Sequence, residues 1–175
     1  MTASGTLLNC SYVTGAAWNE WSELTAPPGH PVTKVAACRS HTEGRQDLAV
    51  LTADGRLWTT YKHHQQEWSN WKELDAPAPL TRLAMTSPFA TIAGRPGQLT
   101  IFAVDLSGSV WQKSFHVESG WSEWTSMRFP HVAVSLAAGS LGDGHQEVFV
   151  VDLDDTIWHS WWNWGGDGWS QWIAF

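Results

Sequence analysis

The chain has 175 residues, 14 of them tryptophan, and sets 10 basic against 17 acidic side chains for a formal net charge of −7. That balance, without a block of Lys and Arg anywhere, excludes a phosphate-tracking surface and with it nucleic acid as an expected partner. No segment approaches the ~20 apolar residues of a membrane span, so no membrane insertion is expected, and the length suits one domain.

Residues 1–24 begin with "SGTLL" (Ser4–Leu8), a turn leading into a short strand candidate, and end with "AWNEWSEL" (Ala17–Leu24). Residues 31–74 read as four strands, near Val35–Arg39, Leu48–Thr52, Arg56–Tyr61 and Ser69–Leu74, each rich in β-favouring residues and bounded by turn residues. Asp54-Gly55 between the second and third predicts a two-residue type I′ hairpin, which needs positive φ at both central positions. Residues 80–127 repeat the order as "RLAMT", "LTIFAVDL", "SGSVW" and "GWSEWTSM"; residues 131–175 repeat it as "VAVSLAA", "EVFVVDL", "DDTIW" and "GWSQWIAF". Ser107-Gly108 and Asp154-Asp155 fill the hairpin slot in these copies.

The first tryptophans of the four Trp-x-x-Trp pairs, Trp18, Trp68, Trp121 and Trp169, are spaced by 50, 53 and 48 residues, and Leu8, Trp58, Trp111 and Trp158 align upstream of them. An internal period of this size points to propellers or arrays. No long stretch shows a 3.6-residue period, so the chain is expected to be all-β, and a repeated unit of four antiparallel strands is a propeller blade. Residues 31–74, 80–127 and 131–175 supply three full blades, whereas 1–24 supply only the two outer strands of another. Three and a half blades do not close a ring, and an open end leaves strand edges and Trp-rich faces bare. Homo-oligomerisation is therefore expected, with a dimer as the leading arrangement. Both half-blades of a dimer bring the same two strands, so they do not simply complete each other. An eight-position ring with two thin blades, hairpins packed elsewhere, and a cut from a longer protein all stay open.

"DTIWHSWWNWGGDGWSQW" (Asp155–Trp172), preceded by "GHQEVFVVD" (Gly144–Asp152), resembles the Photorhabdus lectin-like family of bacterial β-propellers, whose repeats run as a G-R-x-(D/E)-V-F-V strand, then (D/G)-x-L-W-H-x-W-W, then G-W-S-x-W. The last blade matches nearly throughout. The two before it match at Gly44 and Gly94, at Trp58 and Trp111, and at the Trp-x-x-Trp pairs; the half-blade keeps Trp18 and Trp21 but has Leu8 in place of a tryptophan. The resemblance spans essentially the whole chain, with half the family's blade count. It implies a seven-bladed lectin binding fucose and related or O-methylated sugars between blades, with glycans as partners and no cofactor.

Trp58, Trp111 and Trp158 recur at one position of each blade and are expected to pack blade on blade. For the pairs Trp18/Trp21, Trp68/Trp71, Trp121/Trp124 and Trp169/Trp172, strand alternation sends residues i and i+3 to opposite sides, so one ring of each is expected to pack while the other reaches a ligand. Trp161 and Trp162 complete the set of candidate binding residues. A pyranose has an apolar C–H face that stacks on an indole, and a hydroxyl rim that takes polar partners. One shallow site of this kind binds near ~1 mM, and repetition on one rigid body raises avidity by about 10² or more. His63, His64, Gln65, Glu118 and Asp167 are possible hydroxyl partners, although solvated loop polarity explains them equally well.

Enzyme readings fail. "TADGRLW" (Thr52–Trp58) resembles the Asp-box of sialidases, a structural turn, but the arginines fall mostly at different repeat positions and there are two tyrosines. "VDLDD" (Val151–Asp155) reads as a hairpin turn in preference to a calcium loop, because Thr52 and Asp105 stand at the place of Asp152. HExxH, GxSxG and P-loop motifs are lacking, His63-His64 has no further ligand at metal spacing, and no metal is expected. Cys10 and Cys38 lack zinc or redox spacing and are expected to be free, buried thiols. The N-terminal stretch has no secretory signal, which leaves the cytoplasm or a non-classical route of export. A protein-interaction propeller and an assembling fragment of a larger propeller are the alternatives to a lectin.

Overall fold

The computed structural model describes residues 1, 5–12, 15, 17–39, 44–64, 66–87, 98–141, 145–162 and 168–175. Gln65, Gly94 and Asp167 lie outside the described residues. Strands β1 (Leu7–Asn9) and β2 (Ser22–Leu24) pair as a two-stranded half-blade. Blade 2 is β3 (Val32–Arg39), β4 (Arg45–Thr52), β5 (Leu57–His63) and β6 (Lys72–Leu74), each antiparallel to the next. Blade 3 is β7 (Leu80–Thr86), β8 (Gln98–Asp105) and β9 (Val110–His116), with an outer strand in two pieces, β10 (Gly120–Trp121) and β11 (Thr125–Ser126). Blade 4 is β12 (Ala133–Ser140), β13 (Gln146–Asp152), β14 (Ile157–Trp162) and β15 (Ile173–Ala174). Every pairing joins neighbours in sequence except that β10 and β11, the two pieces of one outer strand, both pair with β9.

The second strand of each blade carries the core because both of its faces are covered, so it reads as an apolar run instead of an alternation. Leu48 and Val50 of β4 pack on Leu7 of the half-blade. Ala49 and Leu51, on the other face, meet Leu99, Ile101 and Ala103 of β8. Phe102 and Val104 in turn meet Val148 and Val150 of β13. The core is thus three sheets of contact between successive blades.

The hairpin turns differ from the expected type I′. Gly55 N–H donates to Thr52 O at 2.9 Å and Thr52 N–H to Arg56 O at 3.0 Å, and only Gly55, at φ 81°, is left-handed. This is a type I turn closed by a residue in the left-handed region, a three-residue loop that suits strand twist as well as I′ does. Gly55 is also a point of blade contact: a Cβ there would stand 2.8 Å from Pro79 Cβ, and Leu80 N–H donates to Gly55 O. Asp155, at φ 59°, holds the same place in blade 4.

Strand alternation does not govern the Trp-x-x-Trp segments. Trp18 bridges Tyr12 and Trp169 bridges Trp162, after which the chain bulges away before pairing resumes. The residue after each first tryptophan holds the bulge. Ser69, Ser122 and Ser170 donate their N–H to Tyr61, Ser114 and Trp161 carbonyls at 2.8, 2.8 and 2.9 Å. Their hydroxyls accept from the N–H of the same three residues at 3.2, 3.1 and 3.1 Å. The extra residues restore both rings to one side. Trp68 and Trp71 pack on one cluster, as do Trp121 and Trp124 on the next and Trp169 and Trp172 on the third.

Candidate functional site

The second tryptophan of each inner pair ties its blade to the one before. Trp71 Nε1 donates to Thr25 O at 2.7 Å, Trp172 Nε1 to Met127 O at 2.9 Å, and Trp124 Nε1 to Asp75 O. The first tryptophans diverge. Trp169 Nε1 donates to Gln112 Oε1 at 2.7 Å and its ring meets Phe102 edge-on at 5.4 Å. Trp68 lies half-buried under the Lys62 ammonium, 5.0 Å from the ring centre. Trp121 packs on Phe115 at 5.4 Å, and the structure gives its indole nitrogen no hydrogen-bond partner among the described residues. Trp161 and Trp162 are half-buried on β14, Trp162 tilted against Trp169 at 6.1 Å. Trp18 and Trp21 are 67% and 68% exposed.

A pocket of about 310 Å³ opens between blades 2 and 3. Trp121 and Phe115 form its wall on blade 3. Its floor on blade 2 is an ion pair: Arg45 Nε stands 3.1 Å from both Asp47 carboxylate oxygens and Nη2 donates to Oδ1 at 2.6 Å. The guanidinium carbon lies over the Tyr61 ring, 3.9 Å from its centre, with the Phe115 ring centre at 5.6 Å. Close to the Tyr61 ring and bound by Asp47 through Nε and Nη2, the fork keeps Nη1 free of protein acceptors among the described residues. Thr59, Ser69 and Asn70 add hydroxyl and amide groups at the rim. The site therefore combines an aromatic face, a pre-positioned cationic donor, a carboxylate acceptor and neutral polar groups, a donor set suited to a small polyhydroxylated ligand. Among the described residues no group of three or more His, Cys, Asp or Glu side chains is placed to hold a metal ion.

Trp121, a candidate from the sequence, lines this pocket, whereas Arg45, Asp47 and Tyr61 are not among the candidates. The signal that identifies them is local. Arg45 and Asp47 lie two apart on one face of β4, a face that is apolar further along at Ala49 and Leu51, and Tyr61 pairs with Asp47 across the ladder. His63, His64 and Glu118 do not line the pocket.

Trp111 and Trp158, expected to pack, are also clamped. Each Nε1 donates at 2.8 Å to a carboxylate in its own blade, Asp105 Oδ2 and Asp152 Oδ2. Burial raises the pKa of Asp105, but the hydrogen bonds from Ser107, Trp111 and the Ser109 backbone outweigh it and hold the carboxyl below its ordinary value. Asp152 is likewise lowered: burial opposes, while Trp158 and the Thr156 and Asp154 backbone prevail. Blade 2 has Thr52 instead, whose hydroxyl donates to Asp54 Oδ1 at 2.6 Å, and Trp58 Nε1 is buried without a partner among the described residues. Cys10 and Cys38 are unpaired thiols, and burial pushes Cys38 up to about 12.

No protein-family model matches the sequence, and no curated protein matches it. Solved structures do. The BP39L lectin of Burkholderia pseudomallei is similar over 98% of this chain and 49% of its own, at 22% identity and a TM-score of 0.79. The six-bladed Aleuria aurantia lectin, solved with α-methyl-L-fucoside, is similar over 98% of this chain and 52% of its own, at 15% identity and a TM-score of 0.70. A fucose lectin of Kordia zhangzhouensis, solved with methyl-fucoside, is similar over 81% of this chain and 97% of its own, at 16% identity and a TM-score of 0.54. The chain thus has the fold of β-propeller lectins, and it spans about half the length of the first two.

Proposed function

We propose that the chain is a lectin that binds fucose-type or O-methylated monosaccharides between its blades, without catalysis. The reading rests above all on one observation: the pocket between blades 2 and 3 sets an unclaimed indole beside a guanidinium–carboxylate pair. The apolar face of a 6-deoxy sugar lies on Trp121, Arg45 donates to ring or hydroxyl oxygens, and Asp47 with Asn70 takes hydroxyl protons. A single such site binds weakly, at a Kd of roughly 1 mM. The other Trp-x-x-Trp pairs, Trp18/Trp21, Trp68/Trp71 and Trp169/Trp172, together with Trp124, Trp161 and Trp162, line the corresponding gaps or hold them in shape. Several gaps on one oligomer, a dimer in the simplest case, raise avidity by about 10². That the fucose-binding proteins named above share the fold supports this reading, as does the sequence resemblance to the Photorhabdus lectin-like family.

The deciding experiment is a glycan array with labelled protein, repeated against free L-fucose. Fucosylated or methylated spots that disappear with free fucose are the expected result. A blank array from protein with a native near-UV tryptophan spectrum would sink the proposal.

A further inference from the structure

The gap between blades 2 and 3 gathers cations that the fold itself does not require. On blade 2, Arg45 and the exposed Lys72 both line the pocket. Lys72 pairs with Thr59 across the ladder, so the two side chains leave the same face of the sheet. On blade 3, Lys113 pairs with Ile101, which shares a cluster with Ala49 and Leu51 of blade 2, so Lys113 enters the gap from the other side. It is 8% exposed, and its ammonium stands 5.7 Å from the centre of the Trp124 ring. Phe115, two residues further along the same face, belongs to the pocket wall.

The repeat shows what these positions hold elsewhere. The place of Arg45 is taken by Gln98 in blade 3 and His145 in blade 4, and that of Lys72 by Thr125 and Ile173. Lys113 stands where blades 2 and 4 have Thr60 and Ser160, whose hydroxyls donate to the Ser69 and Ser170 carbonyls at 2.7 and 3.0 Å. In the gap between blades 3 and 4 the same three positions are Gln98, Thr125 and Ser160, all neutral. Against the three cations, the described lining of the pocket holds one carboxylate, Asp47, which Arg45 already binds through Nε and Nη2. Glu73, next to Lys72, pairs with Trp58 on the opposite face and lies 3.6 Å from Arg56. Among the described residues Lys72 and Lys113 have no acid within ion-pair distance. In a chain of net charge −7, an excess of two positive charges in one gap reverses the local sign. A charge withdrawn from water without a partner costs free energy, and a ligand of opposite charge recovers it.

We propose that the sugar bound in this gap is acidic: a carboxylate or sulfate ester, on the sugar or on its neighbour in the glycan, meets the free Nη1 of Arg45 and the Lys72 ammonium, while Lys113 adds its charge from behind the wall. That a sugar occupies the pocket rests on the lectin reading; its charge does not. Trp121 then orders the apolar side of the ring, and the cations select for the acid. Lys113 acts without touching the ligand, because charges attract over several ångströms where water and salt are thin.

Titration calorimetry of the full chain with L-fucose, L-fucose sulfate and D-glucuronate is the test. It is run at about 10 mM salt and at about 300 mM, between which the Debye length falls from ~30 Å to under ~10 Å. At low salt at least one acidic sugar should bind about tenfold more tightly than L-fucose, and at high salt by no more than about threefold. The sulfate and the uronate distinguish the two sources of the charge. Lys72→Gln should cut the ratio of acidic to neutral affinity by up to about fivefold. Lys113→Thr, which introduces the hydroxyl that Thr60 supplies in blade 2, should cut it about two- to threefold. L-fucose bound with both acidic sugars no tighter at low salt overturns the proposal and leaves the lectin reading standing, as does a ratio that neither salt nor either substitution moves. An acidic sugar bound where L-fucose is not supports the proposal and removes fucose from the lectin reading. Folded protein that binds none of the three overturns the proposal, and the glycan array then decides the lectin reading by itself.

Discussion

The gap between blades 2 and 3 and the gap between blades 3 and 4 share one backbone plan, yet different side chains occupy the same space in each. In the gap between blades 3 and 4 Gln112 takes the Trp169 indole N–H, Phe102 meets that ring edge-on, and the Thr100 and Ser114 hydroxyls meet at 3.2 Å. In the gap between blades 2 and 3 the same positions hold Thr59, Ala49, Asp47 and Tyr61. Two smaller residues make the room, and an acid with an aromatic ring anchors Arg45 on the floor. Four side chains, and not the fold, set the shape of the gap.

The sharpest way to test that separation is to remove the ties common to both gaps. Trp124→Ala deletes a packed ring and its bond to the Asp75 carbonyl, and it should cost about 3–5 kcal/mol in urea unfolding. Trp172→Ala should cost a similar amount, whereas Trp21→Ala should change monomer stability by less than ~0.5 kcal/mol. Equal losses at all three would mean that the exposed pair is held by contacts the structure does not contain. Arg45→Ala comes next. It removes a charged donor from the pocket and should weaken fucose binding by about 10–100-fold in titration calorimetry, because hydrogen bonds to charged groups are worth about 1.5–3 kcal/mol. Arg45→Lys keeps the charge but loses the two-pronged grip on Asp47, and should fall between. Thr59→Gln is a smaller step: it offers Trp121 the acceptor that Trp169 has. It should lower affinity several-fold and leave stability unchanged or raised; unaltered binding would show that the free indole is not part of the site.

The repeat, the strand order and the turn positions were legible in the sequence because blades bury both faces of their second strand and must turn at fixed intervals. Leu48–Thr52 and Leu99–Val104 are apolar runs for that reason, and Gly55 and Gly108 mark the turns. Two readings failed for local causes. Asp54-Gly55 suggests type I′ geometry, but that dipeptide also suits a type I turn with glycine alone at positive φ. Alternation treats Trp-x-x-Trp as though it were regular strand. The serine inside the last three motifs, whose hydroxyl caps the bulge, is the sign that it is not. Of the candidate pocket, the aromatic wall was the legible part. Tryptophans announce themselves by number, whereas Arg45 and Asp47 are ordinary residues whose meaning comes from facing Tyr61 on one side and Trp121 on another strand of another blade. No single-blade pattern carries that information.

The smallest expected effect lies in the contrast between Thr52 and its counterparts Asp105 and Asp152. Trp111 and Trp158 donate to those carboxylates, while Trp58 has a buried N–H and no acceptor among the described residues. Thr52→Asp should supply one and stabilise the chain by about 1 kcal/mol at neutral pH, the net value of a typical buried hydrogen bond. The gain also has a predicted pH dependence. Asp105 and Asp152 are held below the ordinary carboxylate pKa, so the stability they contribute is present above about 3.9 and is lost as the pH falls through the lower folded value. The carboxylate introduced by Thr52→Asp, in the same setting, should follow the same course. Thermal melts of both proteins should then separate at pH 7 and converge as the acid limit is approached. A variant less stable than wild type at pH 7 would show that the Thr52–Asp54 hydrogen bond, which the substitution breaks, outweighs the indole it was meant to satisfy.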